Sequence, residues 1–351
     1  MSHSFIIAPP RRCLARTRYR AAALVLFAVS ACDASPPTSP DPAQLYPERI
    51  ISANGTTLQS IDYGGRGTAV VFLAGLGNSA HVFEDFAPRL TNIARVYAFT
   101  RRGFGRSGRP TSGFDTNTLA RDVLALLDSL GIAKAVLVGH SLGGDELTEV
   151  AALASERVLG LAYLDAAYDR SDGLARLIAA EAARALPPSP PEPTAAQQAS
   201  PRAFRDYLAW VRGFRLPLTE VRATFRFDDS GRLVGPATDP QTFLMTIVGV
   251  TEPRILEVRT PVLAIYATAR TVSLEFPWIA TVTSGRAELE AQAQRSLDFQ
   301  QRWEAEQRAL VRQLLPSARV VEVPRASHYV FISHESLVER ELRTFITRVR
   351  P

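Results

Sequence analysis

At 351 residues and 46% hydrophobic content, the chain can bury a sizeable core, as one large domain with an insertion or as two smaller ones; a disordered chain is excluded. It carries 40 Lys and Arg against 35 Asp and Glu, but Arg11, Arg12, Arg16, Arg18 and Arg20 all precede Cys32 and no acidic residue does, so the remainder is balanced and leaves no basic stripe for a nucleic acid. Cys13 and Cys32 are the only cysteines, which excludes an internal disulfide or a thiolate metal site in the body of the chain.

The N-terminal arginines lead into the apolar stretch Ala21-Ala22-Ala23-Leu24-Val25-Leu26-Phe27-Ala28. It is shorter than the ~20 residues that span a bilayer as a helix and fits the core of a secretory signal. Val29-Ser30-Ala31-Cys32 resembles the lipobox of bacterial lipoproteins, in which the cysteine becomes the lipidated first residue of the mature protein; Asp33 then resembles an inner-membrane retention signal. A plain signal peptide with an incidental cysteine is the other reading. Residues 33–47, rich in Pro and Ser, read as a solvated tether, so the expected layout is signal 1–32, tether 33–47, then a folded body. The protein is expected to be exported and held at the cell envelope through Cys32.

In the body, Ile50–Ser52 and Thr57–Tyr63 alternate around Asn54-Gly55, a hairpin signal. Thr68–Leu73 predicts a short strand, Phe83–Leu90 a helix and Val96–Phe99 another strand. Leu119–Leu130 has helical spacing, with Asp115 or Thr116 as its cap and Gly131 as its stop. Ala135–Val138 and Leu159–Leu164 predict buried strands on either side of a small-residue helix, Leu142–Ser155. Buried strands alternating with helices imply an α/β fold with a mostly parallel sheet. The alternation breaks over 169–256, expected to be a helical cap insertion, and resumes with the strand Pro261–Tyr266. A polar helix over Arg286–Leu314, whose charged face reads as a solvated surface, precedes the strand Arg319–Val323 and a closing helix over Leu337–Val349. The core is thus assigned to 48–168 and 257–351.

Gly139-His140-Ser141-Leu142-Gly143 follows the buried strand directly. A G-x-S-x-G sequence between a strand and a helix forces the serine to the tip of a sharp turn, where its hydroxyl is exposed and the next N–H faces a developing oxyanion. Serine needs a base within hydrogen-bond reach. Of the histidines past Cys32, His140 adjoins Ser141 and should point away from it, and His81 reads as a surface or pocket-rim residue. His334 lies in a polar helix-cap segment. His328 falls in a loop just past a predicted strand, at the edge where Ser141 must lie, and is the candidate base.

Thr68–His81, Thr100–Ser107, the Gly-His-Ser-Leu-Gly elbow and Ala326-Ser327-His328-Tyr329, in that order, resemble the α/β-hydrolase family from about residue 48 onward. The resemblance implies an oxyanion hole made by the backbone N–H groups of Leu76 and Leu142. Family members usually have His where this chain has Ala74, a loss that would loosen the loop while sparing both N–H groups. Relatives commonly carry the triad acid on the loop after the strand matching Pro261–Tyr266, but here that loop reads Ala267-Thr268-Ala269-Arg270, without a carboxylate. A minority place it one strand earlier, where Asp165 stands; Glu275, another acid, or a dyad with no acid are the alternatives. The implied activity is cofactor- and metal-free hydrolysis of a carboxylic ester, with lactones or amides close behind, on a small hydrophobic acyl substrate. Phe204, Tyr207, Trp210, Phe214, Phe225 and Phe243 would form an apolar pocket roof or the cap's own core. Acyl transfer or perhydrolysis at the same site, and a binding protein that has lost hydrolysis, remain the other classes.

Overall fold

The computed structural model describes residues 46–350; the expected signal, Cys32 and nearly all of the tether lie outside the described residues. Strands β1 (Glu48–Ala53) and β2 (Thr56–Gly65) form the expected hairpin, and Asn54 and Gly55 take φ of 47° and 74°, as a two-residue turn between twisted strands requires. Strands β3 (Ala69–Leu73) and β4 (Arg95–Thr100) follow, then helix α1 (Thr116–Ser129), capped by Asp115. Next come β5 (Ala135–His140), α2 (Gly143–Leu153) and β6 (Val158–Leu164).

Between β6 and the next sheet strand lie α3 (Gly173–Ala182), α4 (Pro201–Arg212), α5 (Leu218–Thr224), a small antiparallel pair β7 (Phe225–Phe227) and β8 (Leu233–Pro236), and α6 (Pro240–Val248). The main sheet resumes with β9 (Val262–Thr268), followed by the short α7 (Val272–Glu275), α8 (Arg286–Leu314), β10 (Arg319–Pro324), α9 (Val330–Ser333) and α10 (Glu335–Arg348).

Eight strands make one sheet in the order β1-β2-β4-β3-β5-β6-β9-β10, antiparallel at the β1–β2 and β2–β4 pairings and parallel elsewhere. Each central strand is apolar on both faces, as a parallel sheet covered on both sides must be. Val70, Phe72, Val136 and Val138 pack on one face with α10 and residues of α4 and α5; Val71, Leu73, Ala135 and Leu137 pack on the other with α1, α2 and Val311 of α8.

Three expectations change. The helix over Phe83–Leu90 is instead two separate 3₁₀ turns, Ala80–Phe83 and Ala87–Leu90, since Pro88 has no N–H for a continuous α-helical ladder. The 169–256 segment contains a strand pair as well as helices. The polar face of α8 is not wholly solvated, because Glu304 is buried and pairs with Arg270 at 2.5 Å.

Candidate active site

Parallel strands bring their C-terminal ends to one edge of the sheet, where sites of open α/β folds collect. Ser141 directly follows β5, Asp165 directly follows β6, and His328 lies in the loop after β10. Ser141 has φ of 51° and Asp165 has φ of 46°, both in the left-handed region that ordinary residues avoid. Such strain collects where a side chain must be presented in one direction. The turn at Ser141 is tight: a Cβ on Gly139 would come 2.6 Å from the Gly143 carbonyl, and one on Gly143 would come 2.5 Å from the Leu73 carbonyl. Glycine alone permits that approach of β5, α2 and β3.

His328 Nδ1 lies 2.7 Å from Asp165 Oδ2. Asp165 is fully buried. Its other oxygen, Oδ1, accepts from the Tyr168 hydroxyl at 2.8 Å and from the Ala267 N–H at 3.0 Å. Burial alone would raise its pKa, but the His328 hydrogen bond and charge, the Arg270 guanidinium and the Tyr168 hydroxyl outweigh it and hold the carboxyl below its ordinary value. Because Nδ1 is taken by a carboxylate, Nε2 is the ring nitrogen of His328 left to accept a proton. Glu275 is paired elsewhere: it faces Arg270 at 3.7 Å. The loop in which relatives commonly carry an acid therefore presents a buried cation, Arg270, ion-paired to Glu304.

His140 is buried beside the elbow and its Nε2 lies 3.1 Å from the His328 carbonyl oxygen. Burial, and then the neighbouring His328 charge, push its pKa well down, so the ring is neutral and Nε2–H donates to that carbonyl. Its ring packs tilted at 4.7 Å against those of both His328 and Tyr329, tying the base-bearing loop to the elbow. His81, read from sequence as a rim residue, is 8% exposed. It lies 3.1 Å from Glu84 and 3.6 Å from Glu48. Burial opposes its charge, but hydrogen bonds to those two carboxylates raise its pKa to about 9. His334 is the N-terminal flank of α10.

The oxyanion loop Ala74–Gly77 lies against the elbow, since a Cβ on Gly75 would come 3.1 Å from Ser141 Cβ. The N–H groups of Leu76 and Leu142 have no hydrogen-bond acceptor among the described residues. Of the six aromatics expected to roof a pocket, Phe204 packs on Tyr207 and Phe225 in the core shared with the main sheet. Phe243 packs on Phe104 and comes within 3.1 Å of a Cβ placed on Gly77, and Phe214 packs 4.9 Å from Tyr329; these two face the catalytic edge.

Two acidic residues beside the elbow carry no role in the sequence pattern. Asp145 and Glu146, in the first turn of α2, are both buried and pair with Arg170 and Arg101 respectively. Their only sequence signal is two acids where a small-residue helix should pack against a sheet.

The sequence profile of the α/β-hydrolase fold family matches residues 68–243, half of the chain, and the chain belongs to that family. It is 39% identical over 107 residues to a non-heme chloroperoxidase of Streptomyces lividans, covering 30% of this chain and 39% of that protein. It is 33% identical over 101 residues to a 2-(acetamidomethylene)succinate hydrolase of Mesorhizobium japonicum, covering 29% and 36%. The matched stretch thus spans less than half the length of these curated relatives. The solved structure of an E-2-(acetamidomethylene)succinate hydrolase superposes with a TM-score of 0.62 at 22% identity, covering 86% of this chain and 99% of that one, a likeness of fold. The relatives are enzymes of the α/β-hydrolase family, with hydrolases prominent among them.

Proposed function

We propose that the protein is a serine hydrolase that cleaves carboxylic esters of small hydrophobic acids through an acyl-enzyme on Ser141. The observation that carries this reading is the 2.7 Å contact of His328 with the buried Asp165, in a loop docked by His140 onto the elbow that presents Ser141. In this reading His328 Nε2 takes the Ser141 proton as Oγ attacks the acyl carbon. The Leu76 and Leu142 N–H groups hold the oxyanion, each worth roughly 3 kcal/mol in the transition state. His328 then returns the proton to the leaving alkoxide, and water attacks the acyl-enzyme by the same route in reverse. Asp165 fixes the tautomer and stabilises the imidazolium. Epoxide and haloalkane chemistry in this fold uses a carboxylate at the nucleophile position, where this chain has serine.

Phe243 and Phe214, lying over the oxyanion loop and Tyr329, supply apolar surface suited to a short acyl or aryl group. The test is a panel of short p-nitrophenyl esters, lactones and aryl amides with wild type and Ser141→Ala. Esters should turn over fastest, and the variant should be silent with a melting temperature close to wild type. Turnover that survives in Ser141→Ala refutes the proposal. For location, we propose anchoring at the envelope through Cys32. Cys32→Ser should release the protein from the membrane fraction, and a wild type found wholly soluble would contradict it.

A further inference from the structure

Arg101, the first residue past β4, is 2% exposed, yet its guanidinium spends its donors on the oxyanion loop. Nη2 donates to the Ala74 carbonyl at 2.8 Å and Nη1 to the Gly75 carbonyl at 3.3 Å. Nε donates to Glu146, itself 1% exposed, one turn into the helix that begins just after Ser141. The guanidinium also lies 5.7 Å from the centre of the Phe104 ring. A buried ion pair adds little net stability over apolar side chains of similar size, so stability alone does not account for it.

Peptide geometry supplies a reason. The Gly75 carbonyl and the Leu76 N–H belong to one planar trans unit and point in opposite directions. Whatever pins that carbonyl also aims that N–H. Without Arg101 the Gly75 carbonyl keeps only the Asn78 N–H, at 3.2 Å and within the same loop, and the Ala74 carbonyl loses the one partner it has outside β3 and its neighbours. We propose that Arg101, braced by Glu146, is the positioning residue that holds the oxyanion loop with the Leu76 N–H turned toward Ser141. The pair fastens that loop to the elbow helix, so the nucleophile and the donor keep their spacing. It also offsets the loosening expected from Ala74. The proposal rests on the serine-hydrolase reading and adds a residue that reading does not use.

The test uses the full chain in Arg101→Met, Arg101→Lys and Glu146→Gln, with Asp122→Asn as control. Asp122 pairs with the neighbouring Arg102 in an equally buried ion pair that touches no residue of the oxyanion loop. On p-nitrophenyl butyrate, Arg101→Met should lower kcat about 10- to 100-fold, short of the ~10²–10³ lost when a donor is removed outright, with KM within about twofold. Affinity for a boronic acid that mimics the tetrahedral intermediate should fall by the same factor as kcat/KM. Arg101→Lys, which can reach one carbonyl, should recover part of the loss. Asp122→Asn should change the melting temperature while leaving kcat and boronate affinity within about twofold. A folded Arg101→Met with wild-type kcat, a loss confined to KM, or an equal kcat loss in Asp122→Asn would overturn the proposal. If Arg101→Met does not fold, Glu146→Gln decides: a severalfold fall in kcat at constant KM supports the brace and an unchanged kcat overturns it. A wild type that turns over no ester defeats the hydrolase reading itself, whereas active wild type with indifferent Arg101 variants defeats only the brace.

Discussion

Asp165→Asn isolates the acid better than any other change, because the structure dictates which way the amide must face. Oδ1 of Asp165 accepts from two fixed donors, the Tyr168 hydroxyl and the Ala267 N–H. An asparagine keeps its carbonyl oxygen there and turns its NH₂ toward His328 Nδ1. Two donors cannot share that contact, so Nδ1 gives up its proton and Nε2 carries it. The imidazole is then held in the tautomer that cannot accept the Ser141 proton. The same change in a Ser-His-Asp protease lowers kcat by about 10⁴, which corresponds to about 5 kcal/mol of barrier. A loss of that order is expected here, with the volume and the Oδ1 contacts kept and the fold intact by circular dichroism. Glu275→Gln, at a carboxylate that meets Arg270 and not His328, should leave kcat within about twofold. Initial rates on p-nitrophenyl acetate across pH 6 to 9 give both numbers. If Asp165→Asn keeps a tenth or more of the activity while Glu275→Gln loses it, the acid assignment is refuted.

Two further outcomes concern stability. The folded-state pKa of His81 is raised to about 9, so its contribution is full below the unfolded histidine value near 6.5 and is lost as pH climbs through 9. That shift amounts to about 3 kcal/mol. Urea unfolding of wild type against His81→Gln should show the gap narrowing by an amount of that order between pH 6 and pH 10, and a gap independent of pH contradicts the ion-pair account. Glu220, fully buried on α5, accepts from Asn78 Nδ2 at 2.8 Å and from the Ser79 N–H at 3.2 Å. Glu220→Ala strands those donors and should cost about 3 kcal/mol of unfolding free energy, while Glu220→Gln should recover a good part of it. A loss under 1 kcal/mol in the alanine variant would show that water replaces the carboxylate without penalty.

The parts of the fold written in local pattern were legible in the sequence. The glycines around Ser141 mark the turn, the apolar runs mark the sheet, and the loop after a strand locates both Asp165 and His328 at one edge. The helix over 83–90 was misread because apolar spacing outweighed Pro88. His81 was misread because, besides Glu84 three residues on, the carboxylate that pairs with it is Glu48, at the start of β1. The same holds for Arg101 and Glu146, 45 positions apart, and for Arg270 and Glu304, 34 apart. Each member taken alone looks like a surface charge. Desolvation and pairing are decided by tertiary neighbours, so a charged residue in the sequence does not disclose whether it will meet its counter-ion in the dry.

The central claim is that Ser141 becomes acylated with help from His328. Stopped-flow mixing with p-nitrophenyl acetate, followed by acid quench and peptide mass spectrometry, tests it directly. The account predicts an acetyl group on the peptide containing Ser141 in wild type, greatly slowed in His328→Ala and absent in Ser141→Ala. Ester hydrolysis proceeding with Ser141 unmodified, or with the acetyl group on another residue, would contradict it.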